Sequence, residues 1–427
     1  MYFFYSLLLA CAALLSLPWW LLQMLRLRKY RAGFQQRIGV VPARLKTAKP
    51  GSIWVHAVSV GEVLAVSGLI SQLKKAQPDT QIFISTTTAT GQRLARERFG
   101  EDQCFFMPLD FGFAVRAYMN ALKPRLLILA ETEFWPNLLH LARKRGTAIA
   151  IVNARVSDRS FPRYRRFRWF LRRVLSNVDL FLAQTAVDAE RLRTIGAPTE
   201  RVQVSGNLKF DIRPPADSKL PEDLRSAIPN GSPVIVAGST AEGEEGTVLQ
   251  AFQQVQKQFP SAVMVLAPRH PERFDNVANL IATLDIPFLR RSSWTTPRPV
   301  TGSVFLLDSV GELASVYALA DIAFVGGSLV PTGGHNILEP AQYGAAIVVG
   351  PHTFNFREIV SIFQTGGAIR VTDPEQLGAV LVELLSDPEE RNRLGRRAKE
   401  LFAQHAGATQ RTVQALRPLL APGVERQ

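Results

Sequence analysis

The sequence predicts two doubly wound, Rossmann-like α/β domains facing each other across a cleft, behind an apolar N-terminal helix. Three observations carry that expectation. From Ser52 to about Phe210, short apolar runs alternate with amphipathic ones, the pattern of βαβ units around a parallel sheet. A polar, proline-rich stretch, Asp211–Pro233, interrupts the alternation, which restarts at Val234. The 427 residues suffice for two domains and an extra segment, and 47% hydrophobic with 20% charged residues is a globular composition. The expected divisions are a membrane anchor at 1–25, a basic segment at 26–50, an N-terminal domain at 51–212, a linker at 213–232, and a C-terminal domain with tail at 233–427.

Residues 1–25 contain no charged side chain, enough to cross a hydrocarbon core, with Trp19 and Trp20 suited to an interface. Arg26, Arg28, Lys29, Arg31 and Arg37 follow, and no acidic residue precedes Glu62. By the positive-inside rule the remainder stays cytoplasmic, so a membrane anchor is expected. A monotopic hairpin or a buried helix, which Pro18 permits, is the alternative. Cys11 and Cys104 are too few for a disulfide framework.

The net charge of +14 asks for an anionic partner. No nucleic-acid module pattern is present, and a second basic run points to lipid. Between Asp158 and Leu175, Arg163, Arg165, Arg166, Arg168, Arg172 and Arg173 alternate with Phe161, Tyr164, Phe167, Trp169 and Phe170. On one helix, Arg163–Leu175, that mixture suits a headgroup layer. A solvated basic helix with its aromatics in the core is the other reading.

Strands are expected at Ile53–Val58, Ile82–Thr86, Leu126–Leu129, Ala148–Val152, Leu180–Ala183 and Val202–Val204 in the first half. In the second half they are expected at Val234–Ala237, Ala262–Leu266, Val304–Leu307, Ile322–Val325, Ala346–Val349 and Ala368–Val371. Ligands of such sheets bind beyond the carboxyl ends of the strands, so residues just after strands are the candidates. Glu62, in HAVSVGE, opens the helix after the first strand. It is either a favourable charge at a helix N-terminus or a general base for an acceptor hydroxyl. Glu131 and Glu133, in ETEFWPNL, either cap the next helix or face the cleft. Lys209, in GNLKFD, is a surface charge or an anion ligand at the domain junction.

In the second half, Arg269 and His270 of APRHPERF follow a strand and suit a phosphate. The turn Val310–Gly311–Glu312 offers backbone amides to a nucleotide. The stretch FVGGSLVPTGGHNILEPA breaks from a strand into a loop holding Gly326, Gly327, Gly333 and Gly334, then into a helix expected over Asn336–Tyr343. Glycines and a helix start form an anion site, expected here to hold a phosphate, with Glu339 in the helix that follows. No H-E-x-x-H motif or Cys/His cluster suggests a bound metal.

Taken in order, HAVSVGE, ETEFWPNL, NARVSDRS, GNLKFD, APRHPERF, FVGGSLVPTGGHNILEPA and GPHTFNF make the chain resemble the 3-deoxy-D-manno-octulosonic acid (Kdo) transferases of lipid A and lipopolysaccharide biosynthesis. The resemblance implies a GT-B-type fold and inverting transfer of Kdo from CMP-Kdo to a lipid A precursor, lipid IVA. It implies no cofactor or metal. It casts Glu62 as general base and Glu131 and Lys209 as transition-state stabilisers. Arg269, His270, Val310, Gly311, Glu312 and Asn336, Ile337, Leu338, Glu339 become the CMP-binding residues. Domain closure would align the reactants. Another GT-B nucleotide-sugar transferase acting on a membrane lipid and a non-catalytic membrane scaffold are the competing readings.

Overall fold

The computed structural model describes residues 1–26, 33–211, 219–294 and 298–420, with side chains of the first helix described to Ser16. The chain divides into two compact units, Met1–Ile212 with Ala406–Gln427, and Arg213–His405. Each is built on a seven-stranded parallel sheet.

The first sheet holds β1 (Ser52–His56), β2 (Ile82–Thr86), β3 (Cys104–Phe106), β4 (Pro124–Ala130), β5 (Ala148–Ala154), β6 (Leu180–Ala183) and β7 (Val202–Val204). Their order is β3-β2-β1-β4-β5-β6-β7, so the chain reverses direction across the sheet between β1 and β4. The second sheet holds β8 (Val234–Thr240), β9 (Val263–Pro268), β10 (Phe288–Arg290), β11 (Val304–Leu306), β12 (Ile322–Val325), β13 (Ala346–Val349) and β14 (Ile369–Val371). Its order is β10-β11-β9-β8-β12-β13-β14, which puts the reversal between β8 and β12. These two switch points are where an open α/β sheet leaves a crevice for a ligand. The central strands are buried on both faces, which is why they read as continuous apolar runs.

Several expectations change. Two edge strands, β3 and β10, three residues each, add to the twelve segments expected. The expected linker contains a helix, Leu220–Ala227, whose Leu220 and Leu224 pack with Val316 and Tyr317 in the core of the second unit. Pro221 at its start is compatible with a helix, because the first N–H needs no partner there. The C-terminal tail does not stay with the second domain. The helix Ala408–Leu420 returns to the first unit, where Leu416 and Leu420 join the core beneath β1, and Asp211 accepts hydrogen bonds from the amides of Gly407 and Thr409.

The basic segment is likewise built in from residue 33 onward: Leu45 and Ala48 are core residues, and Gln36 accepts the Phe106 amide at 2.8 Å. Arg28, Lys29 and Arg31 lie outside the described residues. Residues Tyr2–Arg26 form one helix, yet among the described residues no helix is long and apolar enough to cross a membrane, so the expected spanning anchor is unsupported. One face of its first turns is used by the protein itself. Tyr2 stacks on His140 at 4.0 Å, and the Asn137 side-chain amide donates to Ser6 Oγ at 3.0 Å. The other face leaves Phe3, Phe4, Leu7, Leu8, Leu14 and Leu15 exposed.

The expected basic helix is two, Phe161–Arg166 and Arg168–Leu175, broken at Phe167. The aromatics divide between core and surface. Phe161, Tyr164 and Phe170 pack against the core, whereas Phe167 and Trp169 face outward among the arginines, Trp169 being 73% exposed.

Candidate active site

In the first unit the candidates gather at the β1/β4 switch point. Ser59 and Glu62 stand three apart at the start of the helix Val60–Ala76, a spacing that folds a carboxylate back over the helix entrance. Glu62 Oε2 accepts the Val58 amide at 2.8 Å and Oε1 accepts the Ser59 hydroxyl at 3.0 Å. Capping and catalysis are therefore not exclusive here, since the cap fixes the carboxyl. Burial, aided by the negative charges of Glu131 and Glu133, raises the Glu62 carboxyl to about 7 despite those two hydrogen bonds. A carboxyl poised at neutrality is suited to accepting a proton.

Glu131 follows β4 directly, at φ 57°, a left-handed conformation that costs free energy for a non-glycine residue. Its amide donates to Val152 O at 2.9 Å, and its carboxylate meets Lys209 Nζ at 3.2 Å. Lys209 is brought there by Asn153, also left-handed at φ 54°, whose Oδ1 accepts the Leu208 amide at 2.9 Å. The NARVSDRS and GNLKFD motifs thus meet through one hydrogen bond. Burial also raises the Glu133 carboxyl. His56 plays no acid–base part in this arrangement. It is fully buried, Nδ1 lies 2.9 Å from Ser85 Oγ, and loss of hydration pushes it down to about 4.

In the second unit the candidates follow β9, β11 and β12. The Arg269 amide is tied to Thr240 O at 2.9 Å, with the Arg269 and His270 side chains exposed. The turn Val310–Gly311–Glu312 is braced by a forked ion pair, Arg291 Nε and a terminal nitrogen each 3.1 Å from the Glu312 carboxylate. Val310 is 79% exposed, and Gly311 supplies the φ of 94° that the turn needs. Ile337 and Leu338 are core residues, so a ligand can meet them only through their backbone. Asn336 Oδ1 accepts the Leu338 amide at 3.2 Å and its Nδ2 donates to Glu339 Oε1 at 3.3 Å. Burial raises the Glu339 carboxyl, opposed by Asn336 and by nearby Arg269.

The glycine loop differs from the anion nest expected of it. The Gly326 amide donates to Gly238 O, the Gly334 amide to Gly327 O, and the Gly327 amide to Glu244 Oε1. Glu244 is 1% exposed and also accepts the Ala241 and Leu329 amides, so a carboxylate of the chain itself fills the place foreseen for a phosphate. The expected helix Asn336–Tyr343 is a single turn, Leu338–Ala341, too short for a useful dipole. Pro340 has no N–H to extend it and disfavours helical backbone at the residue before. Sequence reasoning passed over Glu244 and Asn153. A pair of acidic residues opening a helix just after β8, Glu244 and Glu245, was the available signal for the first.

The family profile described as 3-deoxy-D-manno-octulosonic-acid transferase (kdotransferase) matches residues 32–212, and that described as glycosyl transferases group 1 matches residues 289–401. The 3-deoxy-D-manno-octulosonic acid transferase of Haemophilus influenzae is 36% identical over 427 residues, 99% of each chain. That of Bordetella pertussis is 36% identical over 405 residues, covering 91% of this chain and 94% of its own. The chain belongs to the Kdo transferases. These are glycosyltransferases, and two distant structures share the GT-B-like pair of parallel-sheet domains. UDP-GlcNAc 2-epimerase from Neisseria meningitidis is 13% identical with a TM-score of 0.56, covering 86% of this chain and 100% of that chain. Acinetobacter baumannii MurG is 16% identical with a TM-score of 0.52 and the same coverage, 86% and 100%. At those identities the likeness is one of fold. The family's own profile covers the part of the first unit that holds Glu62, Glu131 and Lys209.

Proposed function

We propose that this Kdo transferase moves Kdo from CMP-Kdo to a hydroxyl of a lipid A precursor, lipid IVA, with inversion and release of CMP. The observation that carries the reading is the Glu62 carboxyl, fixed by two hydrogen bonds at a switch point and raised to about 7. Ionised Glu62 takes the proton of the acceptor hydroxyl as its oxygen bonds to the anomeric carbon. The bond from that carbon to the phosphate oxygen breaks, and the electron pair leaves with CMP. Lys209, held at 3.2 Å from Glu131, supplies a fixed positive charge near the reacting centre. In the second unit Arg269 and His270 receive the phosphate. Val310–Gly311–Glu312 and the Asn336–Glu339 backbone receive cytidine, with the Glu339 carboxylate on the ribose.

The acceptor is a phosphorylated lipid, so the enzyme works at the cytoplasmic face of the inner membrane. The exposed apolar face of the first helix and outward-facing Trp169 and Phe167, set among six arginines, support that placement. The test is donor choice. Purified protein with a tetra-acylated lipid A precursor is expected to consume CMP-Kdo and release CMP. Turnover of UDP-sugars with none of CMP-Kdo would overturn the reading.

A further inference from the structure

The motif GNLKFD does more than supply Lys209. Its last four residues form the short 3-10 turn Leu208–Asp211, and that turn is gripped from two sides. On one side is β5, where Asn153 Oδ1 accepts the Leu208 amide at 2.9 Å. On the other is the helix Ala408–Leu420, which the chain builds only after returning from the second unit at Ala406. Asp211 accepts the Gly407 amide at 2.6 Å with one oxygen and the Thr409 amide with the other. The helix cannot pair these first amides itself, and a carboxylate suits them because the N-terminal end of a helix is positive. Arg411, one turn in, reaches back: its Nε donates to Ser205 O at 2.8 Å and a terminal nitrogen to Ala406 O at 3.1 Å. Gly206, at φ 94°, leaves room for it, since a Cβ there would lie 2.7 Å from the other terminal nitrogen of Arg411. Leu208 and Phe210, which flank Lys209, are each 1% exposed, and Leu208 shares a core with Ala408, Val413 and Leu416.

The backbone of Lys209 is therefore fixed through both of its neighbours. Its Nζ meets Glu131 at 3.2 Å. A lysine has a flexible four-carbon stem, so that meeting depends on where the backbone beneath it is held. We propose that Asp211 and Arg411 are positioning residues for the transfer: by clasping Ser205–Asp211 to the start of the C-terminal helix they set Lys209 opposite Glu131. The inference rests on the role given to Lys209 above. It brings into the reaction a helix that lies beyond both profile-matched segments, residues 32–212 and 289–401. Misplacing a reacting group by about 1 Å, through a change far from the chemistry, can cost about 10²-fold in rate, so a loosened clasp is felt in kcat. Donor affinity, assigned to the second unit, is not affected.

Asp211→Asn keeps the shape of the side chain but replaces one accepting oxygen with an NH2 that cannot accept an amide. In the full-length protein, with CMP-Kdo and a tetra-acylated lipid A precursor, it is expected to lower kcat by roughly ten- to a hundred-fold. KM for CMP-Kdo and the affinity for CMP are expected to stay unchanged. The deciding measurement is a double-mutant cycle with Lys209→Met. Because Asp211 acts through Lys209, Asp211→Asn should lower kcat no further once Lys209 is gone. A cap that only stabilises the fold would lower the active fraction by the same factor in both backgrounds. That result would overturn the proposal, as would an unchanged kcat in folded Asp211→Asn. Should circular dichroism show Asp211→Asn unfolded, Arg411→Gln takes its place in the cycle with the same expectation, since it releases Ser205 and leaves the helix cap. Full kcat in Lys209→Met alone would remove Lys209 from the reaction, and this inference with it. No consumption of CMP-Kdo by the wild type would instead overturn the donor reading.

Discussion

The two hydrogen bonds that make Glu62 a helix cap favour its ionised form, as the proposed general-base role does, whereas burial favours the protonated one. Its ordinary value is 4.5 and its folded value about 7, so between those limits the folded chain holds a proton that the unfolded chain has lost. Stability from this group is therefore present at low pH and is lost as pH rises through about 7, while catalysis by the ionised form is gained over the same interval. The turnover profile should rise through about pH 7 and level off above it. Glu62→Gln should cut turnover by about 10²–10⁴-fold, leave CMP affinity unchanged, and raise the melting temperature at pH 8. A flat profile from pH 6 to 8, or full turnover in the variant, would remove Glu62 as the base. Lys209→Met leaves Glu131 without its partner at 3.2 Å; kcat should fall at least about 10²-fold, the scale of one lost transition-state contact, with CMP affinity retained.

At the scale of elements, the loop after β12 is held by its own carboxylate. Removing Glu244 strands the Gly327, Ala241 and Leu329 amides, each costing roughly 1–3 kcal/mol if left unpaired. Glu244→Ala should lower the urea midpoint of the second unit and weaken CMP binding together. Loss of either without the other would show that the loop does not couple them. This loop also marks where sequence reading stops. Positions of twelve described strands were legible from the alternation of apolar runs with amphipathic helices; β3 and β10 were not, although β7, β11 and β14 are equally short. Placement of Glu62, Glu131 and Arg269 after strands followed from that alternation. What an amide points at was not legible: four glycines look the same whether they cradle an external phosphate or an internal Glu244. Nor was the Asn153–Leu208 bond, since its partners lie 55 residues apart. The helix Leu220–Ala227 was missed because prolines read as a linker, although one of them merely starts a helix.

At the scale of the whole molecule, the C-terminal helix belongs to the unit that carries Glu62. Leu416 is fully buried in the core beneath β1, so Leu416→Ala should destabilise that unit by about 2–5 kcal/mol, read by thermal or urea unfolding. Truncation after His405 should cost more, and unchanged folding of the truncated chain would contradict the division of the units. The basic and aromatic surface of the first unit should bind vesicles containing anionic lipid. Arg165→Ala is expected to weaken that binding by about 1 kcal/mol, roughly five-fold, and Trp169→Ala to weaken it further. Equal binding to neutral vesicles would exclude headgroup attraction as its cause.

Mass spectrometry of the lipid after incubation with CMP-Kdo and a tetra-acylated lipid A precursor tests the central claim most directly. Wild-type protein should add one or more whole Kdo units to the lipid with matching release of CMP, and Glu62→Gln should leave nearly all of it unchanged. An unmodified lipid with the wild type, or equal modification by both proteins, would contradict the account.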